Sequence, residues 1–458
     1  MRFILAICIL ALTSPLFAGT QDGLQTYASG SWFYPFGDGL NSSVMALEVD
    51  GPDLYAGGPF SQAGGITANC IAAWDGSSWS ALGSGLNNTV TDIATTGSYL
   101  YVCGHFTTAG GSSAPRMAYW DGSSWYDMDG GMNNYVASIE ACSSGVYAGG
   151  WFTEAGGDAI NYVAFWDGSS WSPLDSGVNG MVNTIALSGD DLYVGGSFTE
   201  AGGNPASNIA HWDGSSWSAL GDGVNDTVES ILLDGSDVYA GGWFWEAGGV
   251  SVNQIAKWDG SSWSPLGAGV NNVVMELAMS SSYLYAAGNF TQAGGVSTSR
   301  IAAWDGSSWS PLGSGLNNDG YALEVDSSCV YVGGTFTEAG GISADRIAMW
   351  DEDFVQISPD IQLASPGFGP DLHVSPNPFA SITTLSFRNT GTSPVILKMY
   401  DVSGHCVGSH DLGTLTPGVH TFNWDGCTEN GSPLSPGAYF VRLISDEFDA
   451  SRMVVLVE

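Results

Sequence analysis

Hydrophobic and polar residues alternate along this chain in short runs, and the runs return at a fixed interval. Residues 182–187 (Val-Asn-Thr-Ile-Ala-Leu) alternate with period two and end in the turn cluster 188–191, the pattern of a half-buried strand. Residues 191–198 read as a second strand, a loop begins at Thr199, and residues 208–212 read as a third. The turn at residues 213–216 (Asp-Gly-Ser-Ser) then returns the chain through Trp217–Leu220 as a fourth. The whole unit starts again after that. Its Trp-Asp pair stands at Trp74, Trp120, Trp166, Trp212, Trp258, Trp304 and Trp350, forty-six residues apart each time, with no insertion or deletion. Seven such four-stranded units, their strands lettered a to d from the centre outwards, predict an all-β chain built around a seven-bladed β-propeller.

Each recurring residue has an expected mechanical task. A Gly pair ends strand b, as in Gly57-Gly58 and Gly195-Gly196, and is expected to let an aromatic ring lie against the backbone. The Asp-Gly-Ser-Ser turn supplies the positive φ of a tight hairpin. The Trp on either side of it fills the wedge that widens toward the outer strands. Counting strands also predicts how the ring closes. A d-like stretch, residues 31–36, precedes the first a strand, while the last c strand, Arg346–Trp350, lacks a good d partner. Residues 31–36 are therefore expected to complete the seventh blade (320–351) and leave no open edge at the seam. Phe354–Ile357 compete for that place with a poorer pattern.

The character of the chain changes outside the repeat. Met1 and Arg2 precede an apolar run from Phe3 to Leu12, with Ala18 beyond it, which reads as a secretory signal peptide over residues 1–19. No later segment is apolar for ~20 residues, so no membrane-spanning helix is expected. The propeller is read over 30–351, a Pro-, Ser- and Gly-rich linker over 352–371, and a second domain over 372–458. Strands split by Gly and Pro turns suit a small Ig-like β-sandwich there. Asp and Glu number 46 against 9 Lys and Arg, a formal charge of −37. Such a surface repels nucleic acid and anionic membrane, and solubility is its simplest use. Six cysteines follow the signal segment, none in metal-ligand spacing. Cys406–Cys427 and Cys103–Cys142 are candidate disulfides, with buried free thiols as the equal alternative.

The succession of strand, Gly pair, Trp-Asp and Trp, as in residues 195–198, 209–213 and Trp217, resembles kelch-type propellers. It resembles more closely the propeller repeats of fungal cortical polarity-marker proteins. The resemblance covers residues 30–351 and implies architecture, not activity. In the tail, residues 375–379 (Ser-Pro-Asn-Pro-Phe), 400–404 (Tyr-Asp-Val-Ser-Gly), 424–426 (Trp-Asp-Gly) and 437–440 (Gly-Ala-Tyr-Phe) resemble another family. They match the carboxy-terminal sorting domain of type IX secretion cargo, itself similar to the Ig-like domain of flagellar hook-capping proteins. That resemblance covers residues 373–458. It implies carriage across the outer membrane of a Gram-negative-type bacterium by the type IX machinery, then release or attachment at the cell surface. The chain ends in Val454–Glu458 without the basic residue that closes many such domains, so export is better supported than attachment.

Chemistry is sought where the blades differ. His105 and His211, the propeller's only histidines, lie two blades apart. They cannot form the paired His and Tyr ligands of kelch-like copper oxidases, so no redox metal and no other cofactor is expected. Neither a nucleophile elbow nor a phosphate loop occurs. Carboxylates are the sharper signal. Strand a lines the axis, and one repeat position reads Glu48, Ala94, Glu140, Ala186, Leu232, Ala278 and Glu324, with Asp92 and Glu276 two residues earlier in other blades. Glu48 and Glu324 face each other across the seam, where a carboxylate pair could act as acid and base on a glycosidic bond or hold a cation. The plainer reading is a wet channel lined by solvated acids, since no spacing marks an acid with a raised pKa.

One face carries further candidates. Its d–a loops hold Asn41, Asn87, Asn133, Asn179, Asn225, Asn271 and Asn317. The simpler reading is that each caps a turn in left-handed conformation; the alternative is a ring that takes a polar ligand or ion, with Asn133, Asn179 and Asn225 as its candidates. Trp151, Trp243 and Trp245, with Tyr135 and Tyr321, stand on this face where other blades have small or polar residues. They suit stacking against sugar rings, and blade packing explains them equally well. Acidic turns at residues 50–53 and 234–237 are the remaining Ca²⁺ candidates, with ordinary hairpins as the equal reading.

The expectation is a secreted, non-catalytic propeller that binds an extracellular glycan or surface protein through Trp151, Trp243, Trp245 and the neighbouring Asn residues. A polysaccharide hydrolase or lyase using Glu48, Glu140 and Glu324 is the runner-up. A purely structural surface-layer module is the third reading.

Overall fold

The computed structural model describes residues 31–189, 191–326, 329–352, 372–377, 379–389, 392–401, 406–428, 432–445 and 448–457. The expected signal peptide, nearly all of the expected linker with Phe354–Ile357, and Val402–Gly404 of the tail lie outside them. From Ser31 to Asp351 the chain builds seven four-stranded antiparallel sheets. Blade 1 runs Ala46–Asp50, Asp53–Gly57, Ile71–Trp74 and Trp79–Ala81, each strand beside the next. Blades 2 to 6 repeat that order, with a strands at Val90–Thr95, Val136–Cys142, Met181–Ser188, Val228–Asp234 and Val274–Met279. Neighbouring a strands pack side by side around the axis, and that of blade 7, Gly320–Asp326, meets that of blade 1.

Blade 7 takes its outer strand from the other end of the chain. Ser31–Phe33 pairs with Ile347–Asp351, with Trp32 opposite Trp350 and Phe33 opposite Met349. The strand is shorter than the expected 31–36, because Pro35 has no N–H to offer a ladder. Phe36 instead turns inward, fully buried among Trp74, Trp79 and Tyr331.

The Trp of each d strand does more than fill a wedge. Its indole N–H crosses to a backbone carbonyl of the preceding blade: Trp79 to Phe36 at 3.0 Å, Trp125 to Leu82 at 2.8 Å and Trp171 to Met128 at 2.9 Å. Trp217, Trp263 and Trp309 do the same to Leu174, Leu220 and Leu266. Trp32 completes the circle on Leu312 at 2.9 Å. A ring of indole staples thus joins every blade to the one before it.

The Gly pair meets different neighbours from those expected. A Cβ on Gly57 would lie 2.6 Å from Cγ1 of Val90 in the next blade, and one on Gly58 would run into the carbonyl of Ser43. A valine and a carbonyl, not an aromatic ring, therefore crowd the two positions, and only the backbone carbonyl at the second cannot give way. The b–c connection was expected as a plain loop, yet in every blade it contains a small hairpin, from Gln62–Ala63 with Ile66–Thr67 to Glu338–Ala339 with Ile342–Ser343. Two-residue strands are too short to show a period in sequence. Bridges such as Leu40 to Ala63 and Val224 to Ala247 tie these hairpins to the d–a loops, which makes this face, the upper one, a knitted surface.

The tail folds as a small β-sandwich. His373–Ser375, Thr383–Asn389 and Gly418–Trp424 form one sheet, and Cys406–Leu415, Ser393–Asp401, Gly437–Ser445 and Phe448–Leu456 form the other. Leu385, Phe387, Leu397, Met399, Trp424, Val441 and Leu443 fill its core. Cys70, Cys103, Cys142, Cys329, Cys406 and Cys427 are all free thiols, so neither candidate disulfide is present. Among the described residues no helix is long and apolar enough to cross a membrane.

Candidate ligand site at the mouth of the axial cavity

The a strands enclose a cavity of about 500 Å³ lined by Glu48, Asp92, Glu140, Glu229, Glu276 and Glu324, with no Lys, Arg or His in its wall. These acids are only partly exposed, and the expectation that none has a raised pKa is corrected here. Burial pushes Glu48 up to about 7, Asp92 to about 6, and Glu140, Glu276 and Glu324 to about 8. Mutual repulsion adds to it, from Asp92 and Glu48 on Glu140 and from Glu48 and Glu276 on Glu324. Glu140, Glu276 and Glu324 therefore hold their protons at neutral pH, while Asp92 stays mostly ionised.

The acids fall into two groups. Asp92 accepts the N–H of Ile93 at 2.9 Å and of Ile139, in the next blade, at 2.8 Å. Ser138, Thr184 and Ser230 occupy the same repeat position and accept Ile185, Ile231 and Leu277 N–H in their own next blades. Ser230 also donates to Glu276 at 2.8 Å, and Glu48 accepts both N–H and O–H of Thr95. These side chains staple the inner strands together. Glu140 and Glu324 differ: their pKa values are set by burial and by other acids, with no hydrogen-bond donor among the causes. Among the described residues no group of three or more His, Cys, Asp or Glu is arranged to hold a metal ion.

The carboxylates of the Asp-Gly-Ser-Ser turns are occupied by their own turn. Asp75 accepts the hydroxyl and the N–H of Ser77, both at 2.8 Å, and the N–H of Ser78 at 2.7 Å, and these bonds hold its carboxyl down to about 2. Residues 50–53 and 234–237 are tight a–b hairpins, with Asp50 opposite Asp53 and Asp234 opposite Asp237.

The Asn ring is a set of clamps. Oδ1 of Asn133 accepts the N–H of Thr153 and Glu154, and its Nδ2 donates to the Thr153 hydroxyl at 3.0 Å. Asn179 binds Thr199 and Glu200 in the same way. None of the seven Asn has a positive φ, so the left-handed cap is corrected to a side chain bracing the b–c loop. The amides of Asn133 and Asn179 make all three of these contacts. Asn225 keeps the two N–H contacts, to Trp245 and Glu246, but not the third.

The aromatic residues gather on one side of the cavity mouth. Trp151 donates its indole N–H to Asn183 Oδ1 at 3.3 Å, Asn183 Nδ2 donates to Glu229 Oε2 at 3.1 Å, and Trp243 donates to Glu229 Oε1 at 2.8 Å. Tyr135 stacks flat on His105 with 4.2 Å between ring centres and meets Trp151 edge-on at 5.4 Å. Trp151 and Trp243 remain 40% and 47% exposed, while Tyr135, Asn183 and Glu229 line the cavity. Blades 2 to 5 thus present a continuous arc of fixed rings and polar groups. Tyr321 lines the cavity from blade 7, and nearby Asp319 pairs with Arg300 and accepts from Asn289. Sequence reasoning found the tryptophans and Tyr135 but missed His105 as a stacking partner, and missed Asn183 and Glu229. Their signal was available: both stand at one repeat position that otherwise reads Met45, Thr91, Ala137, Met275 and Tyr321.

A family model described as the FlgD Ig-like domain matches residues 380–447. The tail is therefore an Ig-like domain on an all-β chain. No curated protein matches the chain. Among solved structures, the chain is similar to PorZ of Porphyromonas gingivalis, described as an essential bacterial surface component of the type IX secretion system. Identity is 14% and the TM-score 0.46, over 92% of this chain and 60% of that one. The chain thus spans 60% of that structure's length. The β-propeller domain of the Trilobed protease of Pyrococcus furiosus is similar at 12% identity and a TM-score of 0.41, over 68% of this chain and 95% of that one. FlgD of P. aeruginosa is similar at 26% identity and a TM-score of 0.14, over 16% of this chain and 60% of that one.

Proposed function

We propose that the protein is a non-catalytic extracellular binding module whose upper face takes a glycan at the mouth of the axial cavity. The observation that supports this is the hydrogen-bonded line from Trp151 through Asn183 and Glu229 to Trp243. It holds two half-exposed indoles in fixed orientation beside polar groups. The C–H face of a pyranose packs on such a ring while its hydroxyls bond the groups around it. Blade packing does not call for indoles left in water. The test is a glycan array on the mature chain, with and without Ca²⁺, followed by reducing-sugar release from every hit. Binding without release is expected; a silent array turns the reading toward a protein ligand or a structural module.

A second reading draws on the cavity acids. Glu140 and Glu324, protonated near neutral pH, have the state a general acid needs on a polysaccharide, with Glu48 as its companion carboxyl. Release of sugar ends that is lost in Glu140→Gln or Glu324→Gln would favour a hydrolase or lyase.

Export by the type IX machinery is part of the same proposal. The Ig-like match at 380–447 and the sorting-type motifs between Ser375 and Phe440 support it, together with placement outside the cell or on its outer surface. Deleting residues 372–458 is expected to retain the protein inside an otherwise competent host.

A further inference from the structure

Blade 5 departs from the other six at a position the cavity mouth does not use. In those six, the Asn of the d–a loop donates Nδ2–H to the hydroxyl of the residue whose N–H it accepts. The pairs run from Asn41 with Ser61 at 3.0 Å and Asn87 with Thr107 at 2.9 Å to Asn317 with Thr337 at 2.9 Å. In blade 5 that residue is Trp245. Asn225 Oδ1 still accepts the N–H of Trp245 and Glu246 at 3.0 and 3.1 Å, so the loop keeps its shape. Its Nδ2 has no hydroxyl to reach, and Asn225 is exposed. Trp245 is 53% exposed, the most of any large apolar side chain in the propeller. Neither change helps the blade. A hydrogen bond is given up and an indole is left in water, and a local rule broken without structural return points to function.

The two indoles of this blade are arranged in series. Phe244 between them is fully buried while Trp243 and Trp245 are exposed, so the bend that buries the one ring turns both indoles out to solvent. Trp243 is tied to Glu229 at the cavity. Trp245 is tied to Asn225, in the loop that arrives from an outer d strand. One sugar ring cannot cover both. Building on the glycan reading above, we propose that Trp245 and Asn225 form a second pyranose subsite outward of the mouth. The ligand is then an uncharged linear oligosaccharide laid along blade 5. The ring's C–H face lies on Trp245, and a hydroxyl oxygen accepts the Nδ2–H of Asn225. Glu229 and Glu246 flank the track, and the chain's charge of −37 repels uronate-rich or sulfated chains.

The variant Trp245→Thr restores the residue type of the other blades and with it the missing hydrogen bond, so it folds and gains thermal stability. The mature full-length chain is titrated calorimetrically with cello-, xylo-, manno- and malto-oligosaccharides, from the single-ring methyl glycoside to the hexasaccharide. The wild type is expected to tighten by about tenfold in Kd once a chain reaches the second ring. W245T loses that step and leaves single-ring binding unchanged. Length dependence that survives in W245T overturns the second subsite, as does an equal weakening at every length. If Trp243→Ala abolishes binding while W245T is neutral, this inference alone falls. If no chain binds the wild type, the glycan reading falls with it.

Discussion

The indole N–H of Trp32 donates to the carbonyl of Leu312 at 2.9 Å, across 280 positions of sequence. The same bond recurs between all other neighbouring blades, but here it joins the first described strand to the sixth blade. Replacing Trp32 by Phe keeps most of the ring and removes the donor. A net loss of about 1 kcal/mol is expected, read as a lower midpoint in urea denaturation. Trp217→Phe should cost a similar amount, because the two bonds are chemically alike. If only W32F is destabilised, the indole staples do not act equally around the ring.

Gly195 and Gly196 make opposite demands although they are adjacent. A Cβ at Gly195 meets the movable side chain of Val228 at 2.6 Å, whereas one at Gly196 meets the Met181 carbonyl. Blades 2 and 6 already carry Cys103 and Ala287 at the first position, while the second is Gly in every blade. Gly195→Ala is expected to cost about 1–3 kcal/mol. Gly196→Ala should cost more than about 4 kcal/mol, or fail to fold. Thermal unfolding of the two variants side by side separates them.

The cavity acids set the pH dependence of stability. Glu140 and Glu324 are raised to about 8 and Glu48 to about 7 in the folded protein, against ~4.3 in an unfolded chain. Between those values the folded state holds more protons than the unfolded one, so stability falls as pH rises. The contribution is full below the unfolded value and lost as pH passes through 7 to 8. Asp92, Glu229 and Glu276, which share the cavity and are shifted the same way, reinforce the trend. The double variant Glu140→Gln with Glu324→Gln should raise Tm at about pH 8.5 and change it little at about pH 4. Equal effects at both pH values would contradict the burial of these carboxyls.

On the proposed glycan reading Glu229 holds the indole platform in place, since it accepts from both Trp243 and Asn183. Glu229→Ala should free both indoles of the line, blue-shift or broaden their fluorescence, and weaken glycan binding by about tenfold or more. Glu229→Gln keeps an oxygen acceptor for the Trp243 N–H and should rescue most of that loss. Unchanged fluorescence in E229A would mean that the indoles are held by something else.

Thiol reactivity gives a direct check on the cysteines. Cys70, Cys103 and Cys329 are buried, and burial raises all three above the ordinary thiol value, whereas Cys142, Cys406 and Cys427 are partly exposed. Alkylation of the native protein followed by mass spectrometry should label the second group first. The first group should react only after denaturation. A disulfide at Cys103–Cys142 or Cys406–Cys427 would appear as a missing label at both members.

The blades were legible because the period is long and repeated without a gap: seven Trp-Asp pairs and six Asp-Gly-Ser-Ser turns constrain one another. The seam was legible too, since a surplus d-like stretch at one end matched a missing d strand at the other. What escaped was anything carried by geometry between repeats. The clamp of each Asn joins residues twenty apart, as in Asn41 and Ser61, and no periodicity within a strand announces it. The ionisation of Glu140 and Glu324 depends on how tightly seven strands close around them, a distance that spacing along one strand does not encode. Asn183 and Glu229 were overlooked because each looked like an ordinary polar residue. Only their meeting with indoles from other positions gives them a role.

The pairing of Ser31–Phe33 with Ile347–Asp351 also dictates when the molecule can become a circle. The closing strand is synthesised before any blade, and its partner after all the others. Throughout synthesis the growing product is an arc whose end blades leave an apolar face uncovered and whose Ser31–Phe33 strand waits unpaired, open to contact with another chain. A premature stop before the Ile347–Asp351 strand leaves an arc of the same kind and not a smaller ring, because the latch then has nothing to engage. Completeness is thus checked by topology: a chain that shuts carries every blade, and one that cannot shut leaves apolar blade faces open to quality-control proteases.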